Sequence, residues 1–165
     1  MLLSDVYNSS WFFKEITLSI ITPKIKSFLD IQKLGYVATV SSDGKPNISP
    51  KGTIIAWSEN LLAFANIRSP DTVNNLQNNP FVEINVIDPL SRKGYLFTGS
   101  AKIIKNTPTY TEILDHYRNN GILSPINSIV IVTVSSISEV LSPLYDLGKT
   151  EDEIKLKWKN FFNKL

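Results

Sequence analysis

The chain has no cysteine. That excludes disulfides, thiolate metal sites and cysteine nucleophiles, and it fits a reducing cytoplasm. Histidine is nearly as scarce: His116 is the only one in 165 residues. A Ser-His-Asp triad or a multi-histidine metal centre would have to be built on it, and the neighbouring sequence supplies no partners. An excess of one charge is also missing, since 17 basic groups against 15 acidic leave +2. So weak a field gives no reason to expect a nucleic acid or an anionic membrane as partner. Nor is there the basic and aromatic stripe that single-stranded nucleic acid would need. No apolar run reaches the length of a membrane span. The opening MLLSDVYNSSWFFKEITLSI has no basic start, and polar residues break its apolar ones, unlike a secretory signal. GxGxxG and GxxxxGK loops are absent. The expectation from these absences is a cytoplasmic protein with no metal, no nucleic acid and no membrane partner.

What is present is ordinary globular composition, 42% apolar and 19% charged, enough for a core and suited to one domain over 1–165. An N-terminal arm covers about 1–21. Trp11, Phe12, Ile16 and Ile20 could share a helix face there, and a packed arm fits the same residues. Thr22-Pro23 opens a short amphipathic helix through Ile25, Phe28 and Leu29, ending near Gly35. Six strands are expected: Tyr36–Ser41, Pro46–Trp57 (interrupted by Pro50 and Gly52), Leu61–Ala65, Phe81–Ile87, Tyr95–Lys105 and Ser128–Ser135. Asp43-Gly44 signals a two-residue hairpin between the first two. Helices are expected after Ser69-Pro70 and Thr107-Pro108, and over Glu151–Leu165, whose stripe is Ile154, Trp158, Phe161 and Phe162. Tight turns between consecutive strands imply antiparallel pairing, and the missing βαβ alternation excludes a doubly wound sheet. The fold class is therefore mainly β with helical additions.

Two segments carry chemistry. In Pro46–Thr53, two prolines and a glycine are poor choices for a central strand, and Ser49, Lys51 and Thr53 lie two apart, on one side of an extended chain. They could hold a polar, anionic ligand; taken alone, the stretch reads more readily as a bulged edge strand guarded by proline and lysine. In Phe64–Thr72, a strand runs into a helix N-terminus, whose free N–H groups and partial positive charge suit phosphate. Arg68, Ser69 and Thr72 add a cation and two hydroxyls, while Asp71 competes with an anion. Read as adjacent antiparallel strands, the two segments would face one pocket.

The order of these pieces resembles the pyridoxamine 5′-phosphate oxidase-like, FMN-binding split-barrel family. The resemblance is carried by GYVATV at 35–40, by DGKPNISPKG at 43–52 and by Phe64-Ala65-Asn66 with Ser69–Leu76. Asn79-Pro80, Gly94-Tyr95 and Gly99-Ser100-Ala101 add to it, over roughly 22–105, with a weaker echo at 128–148. It implies a six-stranded antiparallel split β-barrel, paired as a homodimer with FMN at the interface. It implies that Ser49, Pro50, Lys51 and Gly52, with Thr53 beside them, lie along the flavin ring and ribityl chain. Ala65 and Asn66 would lie on the neighbouring strand end, and Ser69, Thr72 and Arg68 would hold the phosphate. Two departures stand out. Asp71 occupies the first helical turn, where many relatives have a lysine or arginine, and the tail lacks histidine. True pyridoxamine phosphate oxidase activity is therefore not expected. The implied activity is an FMN-dependent oxidoreductase acting on a small molecule, with NAD(P)H as electron source. A flavin-binding electron carrier or redox sensor and a deazaflavin-dependent reductase are the alternatives. Haem, hosted by other relatives, would have only His116 as ligand. No catalytic residue is assigned.

Overall fold

The computed structural model describes residues 20–165, so the arm expected over about 1–21 lies almost wholly outside the described residues. Thr22 caps α1 (Pro23–Gln32), its hydroxyl accepting from the Ile25 amide at 3.3 Å. β1 (Gly35–Val40), β2 (Pro46–Lys51), β3 (Ile55–Ala56) and β4 (Leu61–Asn66) follow, then α2 (Pro70–Asn78). β5 (Phe81–Asp88) and β6 (Lys93–Ile104) lead to α3 (Pro108–Asn119), and β7 (Ser128–Leu141) and α4 (Glu151–Phe162) complete the chain. One antiparallel sheet runs in the order β2-β1-β5-β6-β7-β4-β3 and curls into a half-barrel.

The sheet has seven strands where six were expected. Pro46–Trp57 is not one interrupted strand: β2 pairs with β1 and β3 pairs with β4, at opposite ends of the strand order. Gly52-Thr53-Ile54 carries the chain from one end of the curl to the other. Hence β2 and β4 are not hydrogen-bonded neighbours, contrary to the expectation of adjacent strands. β2 is an edge strand, which is where Pro46 and Pro50 cost the sheet least. The hairpin between β1 and β2 is also longer than two residues. The Ser41 amide donates to the Lys45 carbonyl at 2.9 Å, enclosing Ser42-Asp43-Gly44, with Gly44 at φ 82°. β7 runs six residues beyond Ser135, because β6 starts at Lys93 and pairs with it through to Leu141. A bulge at Thr98/Gly99 lets that long pair bend, and the Ser135 hydroxyl donates to the Thr98 carbonyl at 3.0 Å there.

Strand alternation sets the core. Val82, Ile84 and Val86 are buried while Phe81 and Glu83 face out. With Leu29, Val37, Leu62, Phe64, Phe97, Val130 and Val132 they fill the inside of the curl. The other side of β4 and β7 carries a second cluster, in which Ala63, Ala65 and Ile129 pack under Ile113 and Tyr117 of α3. Among the described residues, no helix is long and apolar enough to cross a membrane. Burial predicts the response to truncation. Ile84→Ala, at a fully buried position, should cost about 3 kcal/mol in chemical denaturation. Ile31→Ala, at 73% exposure, should fall within about 0.5 kcal/mol of the parent.

Candidate functional site

Alternation along edge strand β2 turns Asn47, Ser49 and Lys51 to the inner side, and Pro46, Ile48 and Pro50 outward. Pro50 therefore faces away from the polar row, opposite Tyr36 of β1. Lys51 is 5% exposed, donates to the Ser49 hydroxyl, and lies 5.9 Å from the centre of the Phe64 ring on β4. Among the described residues it has no carboxylate within ion-pair distance, and burial pulls its pKa below the usual lysine value.

Gly52 is exposed and Thr53 buried. The Thr53 hydroxyl accepts from the Ala65 amide at 3.0 Å, and the Thr53 carbonyl accepts from the Tyr117 hydroxyl at 2.8 Å. The first of these bonds brings the two sequence segments together, by closure of the curl rather than by strand pairing, and the second ties Thr53 to α3. The Ala65 side chain packs under α3, so only its backbone takes part here.

Beyond β4 the polar residues form a chain. Asn66 donates to the Ser128 hydroxyl at 3.1 Å, and Ser69 donates to the Asn66 side-chain carbonyl at 3.3 Å. Ser69 occupies the N-cap position of α2, but its hydroxyl makes no capping bond. With Pro70 following and the hydroxyl turned to Asn66, the Asp71 and Thr72 amides find no acceptor among the described residues. The Thr72 hydroxyl is also buried without a partner, as is the side-chain oxygen of Asn47. Arg68 is exposed and makes no ion pair with a described residue. α2 packs across β1 and β2, and Asn75 anchors it by donating to the Thr39 hydroxyl at 3.1 Å.

The structure thus gathers a buried unpaired lysine, an orphaned hydroxyl and free helix amides around the same two strands and helix. Buried polar groups normally find partners; a lysine without a counter-ion, an unpartnered hydroxyl and open helix amides are groups that an anion could satisfy. Asn47, Ser128 and Tyr117 join the residues expected from the sequence. Asn47 continues the two-residue spacing of Ser49 and Lys51 and was legible; Ser128 and Tyr117 enter only through the fold.

The pyridoxamine 5′-phosphate oxidase family model matches residues 21–138. The chain belongs to that family. No curated protein sequence matches it. Among solved structures, HupZ from Group A Streptococcus is 28% identical at a TM-score of 0.67, covering 74% of this chain and 95% of its own. An FMN-binding protein from Syntrophomonas wolfei is 13% identical at 0.63, covering 72% and 85%. An F420 reductase is 23% identical at 0.54, covering 71% and 98%. The last two likenesses show the fold. The family match stops at residue 138, so α4 and the loop before it lie outside the matched span.

Lys51 gives a pH prediction. A lysine whose pKa is lowered in the folded state binds fewer protons there than in the unfolded chain, so stability rises as pH climbs toward 10.5, its ordinary value. In anion-free buffer, Lys51→Met should be more stable than the parent. Thermal denaturation should show the gap narrowing as pH approaches 10.5.

Proposed function

We propose that this family member binds FMN, with the phosphate at the first turn of α2 and the ring and ribityl chain along Ser49, Lys51, Gly52 and Thr53. The observation carrying this reading is Lys51, a buried cation with no acid beside it, on a strand against which α2 packs, together with the unsatisfied Thr72 hydroxyl in the first turn of that helix. A phosphate meets both needs, and the first turn of a nine-residue helix favours its charge. Asn66, Ser69 and the exposed Arg68 add donors at the same end. Asp71 is exposed, so its carboxylate sits in water rather than against the phosphate.

The flavin would supply hydride or electron transfer. The chain's own contribution would be orientation and a cation, Lys51, able to stabilise negative charge on the ring system. The activity fitting this arrangement is oxidation or reduction of a small molecule, with NAD(P)H as an electron source. The absence of an assigned proton donor keeps a carrier or sensor without turnover as the second reading, and the same polar groups would hold a deazaflavin.

The functional unit we propose is a homodimer. Tyr36, Val40, Ile48 and Phe81 are exposed on the outer faces of the contiguous strands β2, β1 and β5, at 49%, 40%, 68% and 72%. A contiguous apolar sheet face suits a second copy of the chain, bringing two flavin sites to one interface.

Purified protein should be yellow and release flavin on heating. FMN at 100 times its Kd should stabilise it by about 2.7 kcal/mol, raising the melting temperature by several degrees. A colourless protein whose melting temperature ignores added FMN overturns the reading. Thr72→Val should weaken FMN about fivefold without destabilising the free protein, because the lost hydroxyl has no partner. Ile48→Asp should convert a dimer to monomers in sedimentation; a parent that is already monomeric removes the dimer.

A further inference from the structure

Behind the Gly52-Thr53 link, on the side facing α3, lies a cleft of about 490 Å³, in the size range of small-molecule sites. Its floor is the chain from Gly52 to Trp57, its walls the end of α1 and one face of α3. The Lys33 carbonyl lies 3.7 Å from where a Cβ on Gly52 would be, so the end of α1 abuts the strand proposed for the flavin. Tyr117 fixes the floor by its bond to the Thr53 carbonyl.

The lining has a definite chemistry. Trp57 and His116 meet at 80° with ring centres 6.0 Å apart, making a corner against which a flat molecule can lie. Asn120, 3.5 Å from the His116 ring nitrogen, adds an amide at its edge. Lys26 and Asp30 on α1 and Lys33 at its end are exposed along the α1 wall, with Asp30 between the two lysines in the chain. None of these three makes an ion pair with a described residue. Two free ammonium groups against one carboxylate leave that wall positive, and neither lysine is engaged in holding the fold together.

We propose that this cleft binds a planar small molecule bearing a carboxylate or phosphate: the ring against Trp57 and His116, the anion at Lys26 and Lys33. The cleft shares Gly52 and Thr53 with the strand proposed for the flavin but opens on the other side of that link, so this binding does not rest on the flavin reading.

The single histidine makes the test specific. In the untagged full-length chain, one imidazole resonance reports on this cleft by proton NMR. The probe is nicotinamide mononucleotide, with nicotinamide riboside, which lacks the phosphate, as its partner. The mononucleotide should shift the His116 signal saturably, and the riboside should bind about tenfold more weakly. Lys26→Gln with Lys33→Gln should also cost the mononucleotide about tenfold, while Asp30→Asn should tighten it. All three positions are exposed and without ion pairs, so the variants should melt with the parent. An unmoved imidazole signal, equal affinity for both probes, or a double lysine variant that binds like the parent overturns the proposal. Failure of the flavin reading shows separately, as a sample without flavin absorbance whose histidine titration is intact.

Discussion

Thr53 is the point on which the architecture turns. It is 8% exposed and sits between an edge strand and a two-residue strand that belong to opposite ends of one sheet. Its hydroxyl is bound by the backbone of β4 and its carbonyl by the phenol of α3. These contacts hold the curl closed, and closure places the inner row of β2 against the end of β4. Burial pushes the Tyr117 phenol well above its ordinary pKa, so that hydrogen bond persists across the pH range in which proteins work. Two buried bonds to one residue position a site whose members are otherwise distant in the sheet.

The site itself is built from groups left unsatisfied. Lys51 loses water without gaining a carboxylate, Thr72 has no acceptor, and Ser69 turns from its helix amides to Asn66. In a purely structural edge strand these features would cost stability with nothing in return. The proposed phosphate would answer these groups together. Local disagreement with packing rules is most common where a protein binds something.

The neighbouring cleft extends the same logic. The exposed lysines along its α1 wall contribute little to folding, since surface charges without partners seldom do. Trp57, just past β3, and His116 of α3 form its corner. The C-terminal helix is different in kind. It is attached by the ion pair of Lys93 with Glu151 at 2.8 Å; Lys155, one turn along α4, pairs with the same carboxyl at 2.6 Å, and the two lysines hold it down at about 2. Arg92 lies 3.5 Å from the centre of the Trp158 ring. These contacts secure an element outside the family's matched span to the β5–β6 turn.

Much of the fold was legible from residues alone. Alternation at Val82–Val86, the helix starts at Thr22 and Thr107, and the strand-to-helix passage at Asn66–Thr72 are local patterns, and local sterics and hydrogen bonding decide them. So is the spacing of Ser49 and Lys51, which put both on one face before any partner was known. What the residues could not convey was which strand lies beside which. Pro46–Trp57 reads as one interrupted strand, yet it divides, because pairing partners far apart in the chain compete for each half. Likewise no pattern in the chain assigns Tyr117 to Thr53, or leaves Thr72 without an acceptor. Periodicity is a property of neighbours along the chain; closure of the curl, and the unpaired groups it gathers, depend on contacts across it.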